Sequence, residues 1–340
     1  MNAEELARVD AWMARHVPGF EGPLSAEKFA VGQSNPTYRL DSPSGSYVLR
    51  RKPPGQLLKS AHAVDREFRV QRALAGTSVP VPRMLALCER ESVLGSMFYV
   101  MEYVAGRNLV DPSLPGEVPA GRAALMDEMN RVLAAIHDVD VAAVGLADFG
   151  APGNYYARQL GRWSKQYRAS ETGPVPDMEA LIAWLEGALP ADDGQRTLVH
   201  GDYRIDNMLF AVDGPACLAV LDWELSTLGH PYADLAGVLM QWQLPPGTEG
   251  RGLAGVDRAA LGLPSDEDFV AQYCARRGIG GIEGLGFYVA FAFFRMAAIL
   301  QGVKKRALDG NAANPEKALT LGAYVPQFAR LGLEARGRYG

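Results

Sequence analysis

The segment from Thr197 to Glu224 contains the residues of this sequence that are best suited to chemistry. It reads TLVHGDYRIDNMLFAVDGPACLAVLDWE, and Asp202, Asn207 and Asp222 are its spaced polar residues. The H-x-D-x-x-x-x-N order, followed by a turn, an apolar run and a further Asp, is typical of phosphoryl-transfer sites. We therefore interpret the segment as a loop and short flanking strands that present these side chains.

A phosphoryl-transfer site needs a carboxylate near the acceptor hydroxyl and separate oxygen ligands for Mg²⁺ beside the phosphates of the nucleotide. Asp202 is the candidate catalytic base, and Asn207 and Asp222 are the candidate metal ligands. The alternative is a polar turn between two strands whose Asp and Asn side chains cap the turn. Any one of these residues alone favours the turn, but their combined order and spacing favour the site.

Two stretches, LVHGDYRIDNML and LDWELSTLGHPYADLA, resemble the aminoglycoside phosphotransferase and choline kinase superfamily. The resemblance covers most of the chain and is greatest to a bacterial branch similar to the kinase-like domain of acyl-CoA dehydrogenase fusion proteins. It implies an α+β, protein-kinase-like fold with two lobes. A small N-lobe, residues 1–104, would contain an antiparallel sheet and an αC-like helix, and would bind nucleotide. A larger, mostly helical C-lobe, residues 105–340, would contain the catalytic loop and the acceptor-binding helices.

Length and composition agree with a two-lobe enzyme. The chain has 340 residues, of which 48% are hydrophobic, so it can bury a substantial core. The net charge of −5 argues against a nucleic-acid-binding protein, which needs a basic face. Cys88, Cys217 and Cys274 lie far apart in apolar segments, which predicts buried free thiols and a reducing compartment. The N-terminal segment is acidic and amphipathic rather than signal-like, so we expect a cytoplasmic protein.

Residues 25–50 contain three short runs separated by turns rich in Gly, Ser and Asn, which predicts consecutive antiparallel strands. The first turn, Gly32-Gln33-Ser34-Asn35, would lie over the phosphates of a nucleotide. Ser34 and Asn35 would offer a hydroxyl group and amide N–H groups to phosphate oxygens. An ordinary hairpin loop has the same composition, so this assignment depends on the downstream motif.

Strand alternation places Val48 and Arg50 on one face, so Val48 would cover the nucleotide base and Arg50 would reach the phosphates. Kinase-type sequences have Lys at the position of Arg50, and Arg keeps the charge but binds oxygens with a planar fork. A helix with Ser60 as its N-cap is predicted over residues 60–74. The resemblance makes Glu67 of this helix the ion-pair partner of Arg50. An exposed strand arginine and a surface glutamate are the alternatives.

The run from Ser96 to Val104 is predicted to be a buried strand that leads into a flexible connection. It resembles the kinase hinge, in which main-chain groups bind the adenine edge. The resemblance implies that Glu102 and Val104 contribute main-chain groups and that Met101 gates the pocket. An ordinary core strand is the alternative.

The remainder of the chain is predicted to be mainly helical, with the last helix starting at Asn314-Pro315. Arg295 lies near the centre of an apolar span over residues 284–303, which favours a buried core helix over a membrane span. Asp234 is predicted to accept N–H bonds from the catalytic loop, with simple helix capping as the alternative. The helices are expected over 118–138, 155–170 and 177–189, with three more over 265–331.

These observations predict an enzyme that transfers the γ-phosphoryl group of ATP or GTP to a small-molecule hydroxyl with Mg²⁺. Only about eight residues separate Asp222 from Pro231, too few for the peptide-docking segment of a protein kinase. A nucleotide-binding pseudokinase that acts as a regulatory partner, an aminoglycoside- or choline-type kinase and a metal-dependent phosphohydrolase are the rival interpretations. Neither a nucleic-acid nor a membrane partner is expected, and the sequence leaves the oligomeric state open.

The charge distribution bears on the acceptor. Residues 241–340 contain 12 Lys and Arg against 9 Asp and Glu, a balance of +3, so a chain with a net charge of −5 has −8 in residues 1–240. A polycationic acceptor would require carboxylates in the basic part. We therefore expect an anionic acceptor, such as a hydroxyacyl thioester of coenzyme A, contacted by Arg295 and the cluster Lys304-Lys305-Arg306. A buried ion pair for Arg295 and a helix-dipole role for the cluster are the alternatives.

Overall fold

The computed structural model describes residues 1–29, 35–53, 63–247, 251–312 and 314–339. Its strands are β1 (Ser25–Lys28), β2 (Thr37–Ser42), β3 (Gly45–Arg51), β4 (Met84–Cys88), β5 (Phe98–Glu102), β6 (Arg107–Asn108), β7 (Thr197–Val199), β8 (Met208–Phe210), β9 (Cys217–Val220) and β10 (Thr227–Gly229). Its helices are α1 (Ala3–His16), α2 (Val64–Leu74), α3 (Glu91–Leu94), α4 (Pro119–His137), α5 (Tyr155–Ala169), α6 (Pro176–Gly187), α7 (Tyr232–Trp242), α8 (Arg258–Leu261), α9 (Asp266–Arg277), α10 (Leu285–Leu308), α11 (Pro315–Gly322) and α12 (Val325–Arg338).

The chain folds into two compact units. The first unit comprises Met1–Leu109, Val139–Ala147 and Arg204–Ser226, and the second comprises Val110–Asp138, Asp148–Tyr203 and Thr227–Gly340. The sequence predicts one boundary between residues 104 and 105, and the chain first passes into the second unit after residue 109. Residues 204–226 belong to the first unit, so the polar segment recognised in the sequence is divided between the two units after Tyr203.

The first unit contains an antiparallel sheet in the order β1-β2-β3-β5-β4. Leu49 of β3 packs in one hydrophobic cluster with Trp12 of α1, and Val48 packs in another with Phe68 of α2. Successive residues of β3 therefore face α1 and α2 in turn, as the period-two alternation of a strand requires. The N-terminal antiparallel sheet and the mostly helical C-terminal part confirm the predicted α+β fold class.

Helix α2 is the helix predicted around Glu67. It begins at Val64, and Ala63 occupies the N-cap position without a side-chain hydrogen bond. Ser60, the predicted N-cap residue, lies outside the described residues. Val64 and Phe68 are buried on one side of the helix. Packing of this apolar face, rather than a cap, therefore stabilises the helix.

A second antiparallel sheet of the first unit has the order β6-β8-β9. Met208 of β8 is paired with Val220 of β9, and the Leu221 N–H donates to the Asn207 carbonyl oxygen over 2.8 Å. Asn207 immediately precedes β8, and Asp222 follows β9 by two residues. This register therefore places the two predicted metal ligands at neighbouring strand ends.

The second unit is built around α10, which packs against α5, α6, α7, α11 and α12. Its aromatic residues interlock with α5, for example through ring centroids of Tyr156 and Phe291 that are 5.1 Å apart. By length and composition α10 could span a membrane, but 72% of its most apolar window is buried inside the structure. The span around Arg295 is therefore a core helix, as predicted.

The C-terminal region contains more helices than the sequence predicts. Within the described part of residues 265–339, α9, α10, α11 and α12 are four helices, whereas three were predicted. Asn314 caps α11 through a hydrogen bond from the Lys317 N–H, as its position before Pro315 suggests. The chain then starts a new helix at Val325, with Pro326 in its first turn, where a proline costs no intrahelical hydrogen bond.

Candidate active site

Arg50 is the centre of an ion-pair network in the first unit. Its Nε lies 3.0 Å from Oε2 of Glu67, and its Nη2 donates to Oδ1 of Asp222 over 2.5 Å. The neighbouring Arg51 instead reaches Glu5 of α1, at 3.2 Å. The ion pair predicted between Arg50 and Glu67 is present, and the alternative of an exposed strand arginine is wrong because Arg50 is buried.

Burial determines the ionisation of this network. Glu67 is 1% exposed, and burial raises its pKa to about 7, while the charge of Arg50 opposes the rise and the carboxylates of Asp222 and Glu224 add to it. Burial alone would lower the pKa of Arg50, but the three carboxylates and Tyr99 hold it above its ordinary value. The guanidinium therefore stays charged, and Glu67 is the member of the pair that titrates near neutral pH.

The backbone at Asp222 is unusual. Asp222 has φ 64° and ψ 55°, the left-handed region that few residues other than glycine occupy. A one-turn helix follows, in which Trp223 is completely buried and its Nε1 donates to the carbonyl oxygen of Val220. This anchor holds the chain reversal in place. A strained backbone fixed by its surroundings is common where a side chain must point to a functional site.

Glu224 is a component of the site that the sequence analysis did not single out. Its Oε2 accepts a hydrogen bond from Asn35 Nδ2 at 3.1 Å and lies 3.7 Å from Arg50 Nη2. Asn35, which was predicted to bind phosphate, is completely buried and contacts this carboxylate. The other predicted member of that loop, Ser34, lies outside the described residues.

The donor set suits Mg²⁺. Asp222 and Glu224 supply carboxylate oxygens around the same guanidinium nitrogen, and Asn207, whose side chain carries an amide oxygen, lies at the neighbouring strand end. Mg²⁺ prefers such oxygen ligands and takes only one or two carboxylates when nucleotide phosphates complete its coordination. Among the described residues, no group of three or more His, Cys, Asp and Glu side chains is arranged to hold a metal ion.

The residues predicted to contact the nucleotide base lie on the paired strands β3 and β5 or just after β5. Val48 of β3 is paired with Met101 of β5, and both are less than 10% exposed. The Glu102 N–H donates a hydrogen bond to the carbonyl oxygen of Arg83, whereas no described residue accepts a hydrogen bond from the Val104 N–H. This geometry leaves the Val104 N–H available for the adenine contact that was predicted, and that contact remains a prediction.

Asp202 lies in the second unit, on the loop that follows β7. The His200 N–H donates to Oδ2 of Asp234 over 2.6 Å, and the Gly201 N–H donates to Oδ1 over 2.8 Å. His200 Nδ1 in turn accepts the Asp202 N–H at 3.3 Å. The contact predicted between Asp234 and the loop is therefore present. Pro231 occupies the N-cap position of α7, so helix capping by Asp234 is not its role.

Two further buried side chains, His137 and Tyr273, form a hydrogen-bonded network with Asp234. His137 Nε2 lies 3.4 Å from Oδ2 of Asp234, and His137 Nδ1 is 2.7 Å from the hydroxyl of Tyr273. Burial lowers the pKa of His137, although Asp234 opposes that shift. Burial would raise the pKa of Asp234, but His137, His200 and the Gly201 N–H hold it below its ordinary value. Asp234 is thus an ionised acceptor that fixes the loop before Asp202.

Comparison with known proteins shows the family of the chain. Residues 25–278 match the model of the APH phosphotransferase enzyme family. Acyl-CoA dehydrogenase family member 10 of Mus musculus is 50% identical over 294 residues, which cover 86% of this chain and 27% of that protein. Acyl-CoA dehydrogenase family member 11 of Rattus norvegicus is 40% identical over 344 residues, covering 98% of this chain and 43% of that protein. The chain thus spans less than half the length of these curated relatives.

Solved structures agree with this assignment. A putative aminoglycoside phosphotransferase from Ralstonia eutropha JMP134 is 50% identical, with a TM-score of 0.89 and 98% of both chains covered. Choline kinase from Cryptosporidium parvum Iowa II shares the fold at 12% identity and a TM-score of 0.61, with 96% of both chains covered. The fold is therefore kinase-like, and the chain belongs to the APH phosphotransferase enzyme family.

Proposed function

We propose that this phosphotransferase moves the γ-phosphoryl group of ATP or GTP to the hydroxyl group of a small molecule. The observation that carries the proposal is the buried cation Arg50 held by Glu67 and Asp222, since such a cation is suited to the phosphates of a nucleotide. A solved relative of the same fold, aminoglycoside phosphotransferase APH(4)-Ia, is described in complex with AMP-PNP and hygromycin B. That likeness supports nucleotide use by this chain.

The acceptor hydroxyl would lose its proton to Asp202. The acceptor oxygen forms a bond to the γ-phosphorus, the bond from that phosphorus to the bridging oxygen breaks, and the nucleoside diphosphate leaves. Because this transition state is loose, Asp202 acts mainly by orienting the hydroxyl and accepts its proton late. The two N–H bonds to Asp234 fix the loop backbone next to Asp202, which suits an orienting role.

Three residues would hold Mg²⁺ with the nucleotide, namely Asp222, Asn207 and Glu224. When bound, the metal neutralises charge on the phosphates. Arg50 contributes a second, permanent positive charge, and Glu67 directs its planar fork. The structure also fits the replacement of the usual lysine by arginine, because the guanidinium uses separate nitrogens for Glu67 and Asp222.

We further propose an anionic acceptor, such as a hydroxyacyl-CoA. The balance of +3 in residues 241–340, in a chain of net charge −5, supports an anion more than a polycationic aminoglycoside. The relatives named as acyl-CoA dehydrogenase family members also support an acceptor of acyl-CoA chemistry.

Two measurements test the proposal. Thermal unfolding is followed with ATP or GTP, with and without Mg²⁺, and we expect stabilisation by the nucleotide that is larger when Mg²⁺ is present. Transfer of labelled γ-phosphate is then measured on kanamycin-like amines, choline and hydroxyacyl-CoA compounds, with Asp213→Ala as an active surface control. Nucleotide binding with no transfer to any hydroxyl compound would indicate a pseudokinase. Efficient transfer to the amines with none to the anions would overturn the acceptor assignment.

A further inference from the structure

Arg295 is a partly buried cation beside the catalytic loop. It lies near the centre of the apolar helix α10, and its Nη2 donates to the carbonyl oxygen of Gly201 over 3.3 Å. Gly201 immediately precedes Asp202, so the guanidinium lies one peptide unit from the proposed base. This contact uses one of the five N–H donors of the side chain.

Arg295 has no counter-ion in the part of the chain that the structure describes. No carboxylate of the described residues lies within 4.0 Å of its guanidinium. Three other arginines of the second unit, Arg258, Arg276 and Arg277, each have an Asp partner within 2.6 Å. The buried ion pair that the sequence allowed for Arg295 is therefore absent from the described part of the chain. A partly desolvated cation without a partner is costly, and an anion brought by a ligand would offset that cost.

An aromatic surface lies next to this cation. The ring centroid of Trp163 on α5 is 6.0 Å from Cζ of Arg295 and 5.2 Å from Cζ of Arg162. Trp163 Nε1 donates to Gln159 Oε1 over 3.1 Å, which fixes the plane of the indole. Arg162 is exposed and likewise has no carboxylate partner within 4.0 Å among the described residues. The indole ring therefore lies within 6.0 Å of two guanidinium groups that have no carboxylate partner among the described residues.

Tyr155 belongs to the same group of side chains. Burial raises the pKa of its hydroxyl, while the charges of Arg295, Arg158 and Arg162 oppose that rise. Its ring packs against Gly229 of β10, where a Cβ atom would lie only 2.7 Å from Cε2 of the tyrosine. Glycine at 229 thus allows the ring to approach the strand, and the hydroxyl lies within the field of the three arginines.

We propose that Arg295, Trp163 and Arg162 form an anion subsite that binds a carboxylate or phosphate group of the acceptor. The proposal deepens the proposed function and rests on it, because it assigns the residues that recognise the acceptor's charge. Arg295 supplies a fork of N–H donors to the anion, and Trp163 provides an apolar surface for the adjoining carbon chain. The hydrogen bond from Arg295 to the Gly201 carbonyl oxygen positions the bound anion relative to Asp202.

A purely structural role for Arg295 makes a different prediction. If Arg295 only supported the Gly201 carbonyl, its loss would lower turnover of every acceptor by the same factor. An anion subsite instead discriminates between an acceptor and its neutral isostere. Matched acceptor pairs therefore separate the two roles.

The experiment compares wild type, Arg295→Gln and Arg336→Gln. Arg336→Gln removes the same charge from an exposed position on α12 of the same unit. The first acceptor pair is 6-hydroxyhexanoic acid and its methyl ester, and the second is a hydroxyacyl-CoA and the matching hydroxyacyl-pantetheine, which lacks the phosphate-bearing nucleotide. The second readout is thermal stabilisation by octanoate against octanamide, without nucleotide, so that binding is measured independently of transfer.

We expect Arg295→Gln to lower kcat/KM for the anionic member of a pair by about 10-fold or more, with little effect on its neutral partner. The pair that responds identifies the anion as a carboxylate or a phosphate. Arg336→Gln should leave kcat/KM for both members within about 2-fold of wild type. Equal losses for both members, or octanoate stabilisation that survives Arg295→Gln, would overturn the subsite. Stabilisation that depends on Arg295 without transfer to any acceptor would support the subsite and refute the proposed function.

Discussion

Arg50 and Asp222 are hydrogen-bonded, with Nη2 of the guanidinium 2.5 Å from Oδ1 of the carboxylate. The cation of β3 thus neutralises the carboxylate that we propose as a metal ligand. Glu67 and Glu224 lie around the same guanidinium, at 3.0 Å and 3.7 Å. When nucleotide phosphates bind Arg50, they offer it new anionic partners, and Asp222 and Glu224 become available to Mg²⁺. Metal and nucleotide are therefore expected to bind cooperatively.

Arg50→Gln tests this coupling. The substitution removes the positive charge beside Asp222 and Glu224, so affinity for Mg²⁺ in the absence of nucleotide should rise, by about 10-fold for a lost charge at this distance. Affinity for the nucleotide should fall by about 10-fold or more, because a charge-assisted hydrogen bond to phosphate is lost. Calorimetric titration with Mg²⁺ alone and with Mg²⁺ and AMP-PNP measures both. Unchanged affinity for free Mg²⁺ would contradict the coupling.

Glu67→Gln should make stability less dependent on pH. The pKa of Glu67 is about 7 in the folded protein against an ordinary value of 4.5, so between these values the folded state binds more protons than the unfolded state. Wild-type stability therefore falls as pH rises through this window, because ν_U − ν_N is negative. Glutamine resembles the protonated form. The free energy of unfolding of the variant, relative to that of wild type, should therefore rise by roughly 1–3 kcal/mol from pH 5 to pH 8.

The measurement for Glu67 is urea denaturation at pH 5, 6, 7 and 8. Asp65→Asn, on the exposed side of the same helix, is the matched control and should show no comparable trend. A gap between Glu67→Gln and wild type that stays constant over this range would show that Glu67 titrates elsewhere. The gain in stability should accompany a loss of turnover, because the guanidinium of Arg50 loses the carboxylate of Glu67 that orients it.

The sequence predicts some of these contacts and misses others for physical reasons. The ion pair of Arg50 with Glu67 was predictable because strand alternation assigns a face to Arg50 and the family resemblance identifies Glu67 as its partner. Glu224 was missed because its position depends on the left-handed backbone at Asp222, which the sequence pattern does not encode. That Arg295 lacks a carboxylate partner among the described residues was also unpredictable, because this depends on where the tertiary fold places the carboxylates of the second unit.

Asp234→Asn tests the support of the catalytic loop. The neutral amide is a weaker acceptor for the His200 and Gly201 N–H groups and loses the charge facing His137. Breaking this buried network should cost about 3–5 kcal/mol of stability. Turnover should fall about 10–100-fold with little change in nucleotide affinity. The control is Asp193→Asn, which disrupts the half-exposed pair with His230 at 3.2 Å and should cost less than about 1 kcal/mol. Unaltered turnover by folded Asp234→Asn would refute the bracing role.

Asp202→Ala tests the base assignment. Loss of a positioned general base should reduce turnover by about 10²–10⁴-fold. Nucleotide affinity should stay close to wild type, because Arg50, Asp222 and Asn207 are unchanged. Steady-state transfer and calorimetry with AMP-PNP provide the two readouts. Near-normal turnover by the variant would rule out Asp202 as the base.

Asp222→Ala and Asn207→Ala test the metal ligands. Asp222 would contribute a charged oxygen to Mg²⁺ before any chemistry occurs, so its loss should weaken binding of Mg²⁺ with nucleotide as well as turnover. Asn207 would contribute a neutral oxygen, and its loss should have the same effect to a smaller degree. Asp222→Ala also leaves Arg50 with Glu67 and Glu224, so nucleotide binding without Mg²⁺ should persist.

The control is Asp213→Ala, in the exposed turn between β8 and β9. Calorimetry with Mg²⁺ and AMP-PNP, repeated in EDTA, distinguishes the two components. An Asp222→Ala protein whose nucleotide affinity responds to Mg²⁺ as wild type does would show that this carboxylate is not a metal ligand.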